Sequence, residues 1–96
     1  MERKVYVITF DTPPQGTTAL HAAINNSSKI EAWWHYINNT YLVVSTERAT
    51  TLHSSLIGTV GNVNFLIIEV KYNGSRQGWL PEKAWKWIDD NAGSAH

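Results

Sequence analysis

Asp11 stands at the end of an apolar run, in KVYVITFDTPP, and the two prolines behind it stop the strand because proline restricts its neighbour and donates no ladder bond. A carboxylate there has two uses. It can form a turn by accepting nearby backbone amides. It can also offer a hard oxygen to Mg²⁺, an ion that needs a further carboxylate or a substrate phosphate as well. His21, His35 and His53 show no metal-ligand spacing and fall in three different predicted elements. His35 interrupts an apolar strand face, which suits a hydrogen-bonded interface histidine or, as the alternative, a general base. No Ser or Thr has a base at a readable spacing, so nucleophilic catalysis has no support.

Five tryptophans fall in three places, Trp33 with Trp34, Trp79, and Trp85 with Trp87. Such rings fill cores and interfaces, or form a platform on which bases stack for about 1–3 kcal/mol each. Arg76 lies in the loop SRQG, whose backbone amides can approach a phosphate, although no Walker or dinucleotide pattern accompanies it and a solvated loop is the simpler reading. From these residues the candidate site is Asp11, as catalytic or Mg²⁺-binding group, with Trp34, His35, Tyr36, Arg76 and Trp79 as ligand contacts.

The elements that must position these groups are legible from periodicity. Lys4 to Phe10 is a strand with Val5, Val7 and Thr9 on one face and Tyr6, Ile8 and Phe10 on the other. A helix follows from Thr17 or Thr18 to Asn25, capped by Thr, with Leu20, Ala23 and Ile24 inward. Ile30 to Thr46 is a hairpin, because β-branched and aromatic runs flank Asn38-Asn39, a pair that tolerates left-handed turn conformations. A two-residue turn pairs Ile37 with Thr40, Tyr36 with Tyr41, His35 with Leu42 and Trp34 with Val43. It places Trp34 and Tyr36 on one face with Tyr41 and Val43, and Trp33, His35 and Ile37 on the other with Leu42 and Val44.

Thr46 is placed to cap a second helix carrying Ala49, Leu52 and Leu56, ended by Gly58 or Gly61. Val63 to Tyr72 is the fourth strand, apolar on both faces, and Asn73-Gly74 turns the chain toward SRQGW, a possible short edge strand. Pro81 opens a last helix with Glu82 and Lys86 spaced to pair. Residues 1–91 form one domain, and 92–96 read as a disordered tail. The order is α+β, a ferredoxin-like split βαβ (βαββαβ) with a four-stranded antiparallel sheet and an appended C-terminal helix. Two helices cover one sheet face, so the apolar second face calls for the last helix, a second subunit, or both.

Eight basic residues balance eight acidic ones over 96 residues, which removes any general pull toward polyanions. The chain has no Cys, so thiolate zinc sites and thiol nucleophiles are excluded. No signal peptide and no apolar run of membrane-spanning length is present, and the expectation is a soluble, cytoplasmic protein with no membrane partner.

FDTPPQG after the first strand, the pair WWHY, NTYLVVST leading into a short amphipathic helix, FLIIEV and a closing Trp-bearing helix together resemble the SinR-like family. These are small proteins related to the CRISPR-associated protein two group. The resemblance covers nearly the whole chain and implies a ferredoxin-like homodimer. In the related group an Asp at the end of the first strand is linked to metal-dependent nuclease activity or nucleic-acid binding, and Asp11 matches it; across a dimer, two such residues would share one Mg²⁺. KYNGSRQGWLPEKAWKW departs from the aromatic-rich segment that the relatives imply after the fourth strand.

The resulting expectation is a homodimer that binds a nucleic acid or a nucleotide. The alternatives are a Mg²⁺-dependent nuclease using paired Asp11, a protein-interaction module in host defence, and a phage-type sponge for a nucleotide signal.

Overall fold

The structure, a computed structural model, describes residues 3–12, 16–60, 63–71 and 77–91. Expectations for Pro13-Pro14, Gly61, Asn73-Gly74, Arg76 and the 92–96 tail lie outside the described residues. The elements follow the expected order: β1 (Lys4–Phe10), α1 (Thr18–Asn26), β2 (Ala32–Ile37), β3 (Thr40–Ser45), α2 (Ala49–Val60), β4 (Phe65–Val70) and α3 (Glu82–Asn91). The sheet is antiparallel with strand order β2-β3-β1-β4, so the first and third strands are central, as a ferredoxin-like plan requires.

Local details differ from expectation at several caps. Asn39 occupies the left-handed region at φ 60, as the turn demands. Thr17 sits at the N-cap of α1 without a side-chain cap bond. Thr46 does not cap α2, which begins three residues later. The buried Ser45 shapes that entry instead, its hydroxyl donating to Lys29 O at 2.6 Å and accepting from Glu47 N at 3.0 Å. Gly58 lies inside α2, in open space, and does not end it. Pro81 precedes α3, and its carbonyl accepts from Ala84 N at 2.9 Å. Lys86 pairs with Asp90 at 2.9 Å rather than with Glu82. Residues 77–80 form no edge strand.

The largest correction concerns the hairpin. Ile37 pairs with Thr40 as expected, but beyond it Trp34 pairs with Leu42, Trp33 with Val43 and Ala32 with Val44. Two residues, His35 and Tyr36, therefore oppose Tyr41 alone, which is a β-bulge. The register slips by one, and that slip exchanges the two faces of β2 above the bulge. Trp33 joins Tyr41 and Val43 against the helices, while Trp34 joins Leu42 and Val44 on the opposite face. Without the bulge, the single polar side chain of WWHY would stand beside Leu42 on the uncharged face.

Two layers follow. On one face Tyr6, Ile8, Phe10, Tyr41 and Val43 meet Leu20 and Ile24 of α1 and Leu52, Leu56 and Val60 of α2. On the other, Trp87 and Ile88 of α3 cover the row formed by Ala32, Val44, Val5 and Val70. Trp34 anchors this helix by donating from Nε1 to Ala84 O at 3.3 Å.

The helix covers only that end. Toward the other end the register builds a row Trp34–Leu42–Val7–Ile68, in which α3 covers Trp34 alone of the two end residues, and a row Ile37–Thr40–Thr9–Leu66. Ile68 is 52% exposed, Leu66 51% and Ile37 49%, so this part of the sheet shows apolar side chains to solvent. Neither row contains a charged residue.

Candidate functional site

The open rows run out at a polar rim. Asp11 follows the last residue of β1 and is clamped to the residue that precedes β4. Its backbone N donates to Asn64 O at 3.0 Å, and its Oδ2 accepts from Asn64 Nδ2 at 2.9 Å. The turn role expected of Asp11 is thus taken up by a cross-strand side-chain partner. On the β2–β3 side of the same end, Phe10 N donates to Asn39 O at 3.1 Å and Asn39 Nδ2 to Thr12 Oγ1 at 2.8 Å. A shallow cleft of about 320 Å³ opens on the β1–β4 side of this end, lined by Thr9, Phe10, Asp11, Asn64, Phe65 and Leu66. Asp11 is exposed, and its second carboxylate oxygen has no partner among the described residues.

As a Mg²⁺ site this corner falls short within one chain. The oxygen donors are one carboxylate and one amide, where such an ion wants near-octahedral oxygens. Among the described residues no group of three or more His, Cys, Asp or Glu is arranged to hold a metal ion. A second carboxylate would have to come from another chain or a phosphate from a ligand.

A second constellation was invisible at the level of spacing. The bulge turns His35 toward β3, where its ring stacks on Tyr41 at 4.1 Å with 14° between planes. His21 reaches the same tyrosine from α1, with Nδ1 2.8 Å from Tyr41 Oη, and Trp33 meets His21 edge-on at 5.1 Å. The two imidazole centroids lie 6.1 Å apart. Burial, and after it the neighbouring His21, hold His35 below the ordinary histidine range. Burial alone raises the Tyr41 phenol. Only the pairing of the helix face with a bulged strand joins these groups, and the bulge is not marked in the sequence.

The remaining expected contacts are spread over the molecule. Trp34 is buried beneath α3, so its ring serves the core. Tyr36 is 47% exposed, with its ring 5.2 Å from Trp34. Trp79 is 98% exposed in the segment before α3. Trp85 lies close to Gly78, where an added Cβ would meet its ring at 3.6 Å. Asp11 and α3 stand at opposite ends of β1, so the structure does not bring Asp11 and Trp34 to one place. Arg76 lies outside the described residues.

Comparison of the chain with family models, curated proteins and solved structures gives no match. Among the described residues no helix is long and apolar enough to cross a membrane.

Proposed function

We propose that two copies of this chain pair through the open end of the sheet, and that the dimer binds a nucleic acid or a nucleotide at the Asp11–Asn64 rim. The observation that carries this reading is the position of Leu66. It is half-exposed on an uncharged sheet face and also lines the cleft beside Asp11, so a copy seated on that face deepens the cleft. An exposed apolar face of this kind marks an interaction surface. The resemblance to SinR-like proteins supports the same arrangement.

The rim suits recognition of a base better than of a phosphate. A carboxylate accepts hydrogen bonds from exocyclic amino groups, whereas it repels phosphate oxygens. The amide of Asn64 adds both a donor and an acceptor. Tyr36, exposed on the hairpin, is the aromatic face offered for stacking. Binding rather than cleavage is the preferred activity, because among the described residues the rim of one chain offers a single carboxylate, that of Asp11, and a nuclease would rest on a second one from the partner.

The test is fluorescence anisotropy with short labelled single-stranded oligonucleotides and with nucleoside monophosphates as competitors, at low and high salt. The expected result is saturable binding with a shallow salt slope, because the net charge is zero and few counterions are released. Asp11→Ala should weaken it about tenfold, as loss of roughly 1.4 kcal/mol of hydrogen bonding would do. Absence of binding by any of these ligands, or equal affinity for Asp11→Ala, would sink the proposal.

A further inference from the structure

β4 lies at an edge of the sheet, and the phase of its hydrogen bonds decides what its outer side offers. Among the described residues it pairs with β1 alone. Antiparallel pairs that exchange both backbone bonds alternate with pairs that exchange none. Asp11 N donates to Asn64 O, so the register directs the backbone groups of Leu66, Ile68 and Val70 to β1 as well. The N–H and C=O groups of Phe65, Ile67 and Glu69 therefore point away from the sheet. Natural edges are blunted by bulges, prolines and charges; β4 has no bulge and no proline, and Glu69 is its one charge. The side chains of Phe65, Ile67 and Glu69 share the helix face with Phe10, Ile8 and Tyr6, their partners in register. There β4 and α2 flank a groove of about 350 Å³ lined by Ala49, Thr50, His53, Phe65, Leu66 and Ile67, with the His53 and Phe65 rings 5.5 Å apart.

Such an edge takes a strand, because an extended backbone presents donors and acceptors at the matching spacing. A second copy of β4 fits it poorly. In a two-fold antiparallel pairing centred on Ile67, Glu69 stands opposite Phe65 of the other copy; centred on Ile68 it meets Ile67, and centred on Leu66 it meets Val63. Each register sets an exposed carboxylate against an apolar side chain, twice over. We propose that the β4 edge and the flank of α2 receive an extended segment of a different protein as a fifth, antiparallel strand, with a basic side chain opposite Glu69 and apolar side chains opposite Ile67 and Phe65. The basic group answers a carboxylate that makes no ion pair among the described residues. The two apolar groups enter the groove beside Ala49, Thr50 and His53. The added strand uses the outer edge and the helix side of β4, so it stands apart from the Asp11 rim and from pairing through the open face.

The probe is a fluorescein-labelled synthetic peptide of about nine residues in which Lys, Val and Tyr, in that order, alternate with Thr. Fluorescence anisotropy with the full chain should show saturable binding. Glu69→Lys should weaken it about fivefold, and a peptide with Glu in place of its Lys should regain the loss on that variant. N-methylation of the Lys, Val and Tyr amides, which face β4, should abolish binding, whereas N-methylation of the Thr amides, which face away, should change it by no more than about twofold. Residue-resolved hydrogen exchange on the unmodified chain should show the peptide slowing the Phe65, Ile67 and Glu69 amides about tenfold and leaving those of Leu66 and Ile68 unchanged. That alternation is read without any variant, so it decides the matter even if Glu69→Lys fails to fold. Equal loss with either methylated peptide, slowing without alternation, or no saturable binding below about 1 mM overturns the proposal. So do outer amides already protected in the peptide-free chain, the mark of a second copy on the edge.

Discussion

Replacing Leu66 and Ile68 together by alanine should weaken self-association about a thousandfold and leave the monomer folded. Full burial of a Leu or Ile side chain contributes about 1.5–3 kcal/mol relative to exposure. These two are 51% and 52% exposed, so a partner closing over each recovers about half of that, on the order of 1 kcal/mol. Both residues on both chains contribute, which makes roughly 4 kcal/mol, or about three decades in the dimer Kd. The monomer loses little, because the removed atoms are the ones already in water. Sedimentation velocity over a concentration series measures the association, and far-UV circular dichroism with a thermal melt measures the fold. Ile57→Ala is the control, an exposed apolar residue on α2 in the other layer, and should leave association unchanged. A wild-type chain that sediments as a monomer at every concentration refutes the reasoning, as does a double variant that associates as tightly as wild type.

Acid should destabilise the fold through His35. The folded chain holds this histidine below its usual range, chiefly by burial, so below about pH 7 the unfolded chain takes the proton first and stability falls as pH falls toward 5. Urea midpoints across that window should drop for wild type and drop less for His35→Gln; parallel curves would show that His35 is not responsible. Trp34→Phe removes the donor to Ala84 O, a carbonyl on a fully buried residue, and should cost about 1–2 kcal/mol, with faster amide exchange confined to α3. Exchange accelerated uniformly over the sheet would argue against a local anchoring role. Asn39→Ala should cost about 1–2 kcal/mol in chemical denaturation, since alanine is strained at φ 60 and cannot reach Thr12, whereas Asn39→Gly should recover much of the loss. Equal effects of the two substitutions would discount backbone strain.

The strands and helices were legible because each carries its own period. β1 was read to the residue, since seven alternating side chains end against an Asp-Thr-Pro-Pro stop. Leu20 and Ile24 fixed the buried side of α1, and Leu52 and Leu56 that of α2. The turn at Asn38-Asn39 was equally clear, because few other residues accept the left-handed backbone found there. What the pattern concealed was the bulge, since Trp33, Trp34 and Tyr36 are aromatic in either register and no alternation penalises the slip. Ser45 in place of Thr46 at the entry to α2 was hidden for a similar reason, as adjacent hydroxyls offer the same chemistry and only the strand end decides between them.

The site was less legible than the fold. Asp11 could be singled out by its place at a strand end, but its partner Asn64 lies across the sheet, and only the pairing of β1 with β4 brings them together. His21 and His35 had no common spacing, and their meeting depends on the same bulge that exchanged the tryptophans.

That bulge also bears on which partner suits the open face. By turning His35 inward to Tyr41 and Trp34 outward under α3, it removes the imidazole from the uncovered rows and leaves a surface of Leu42, Val7, Ile68, Thr40, Thr9 and Leu66. A polyanion gains nothing from such a surface, because its affinity comes from basic groups and counterion release. A second copy gains by burying the same rows against themselves, a self-complementary contact that two-fold symmetry repeats on both sides. In the proposed arrangement a nucleic-acid or nucleotide ligand accordingly takes the polar rim around Asp11, and a second copy takes the uncharged rows.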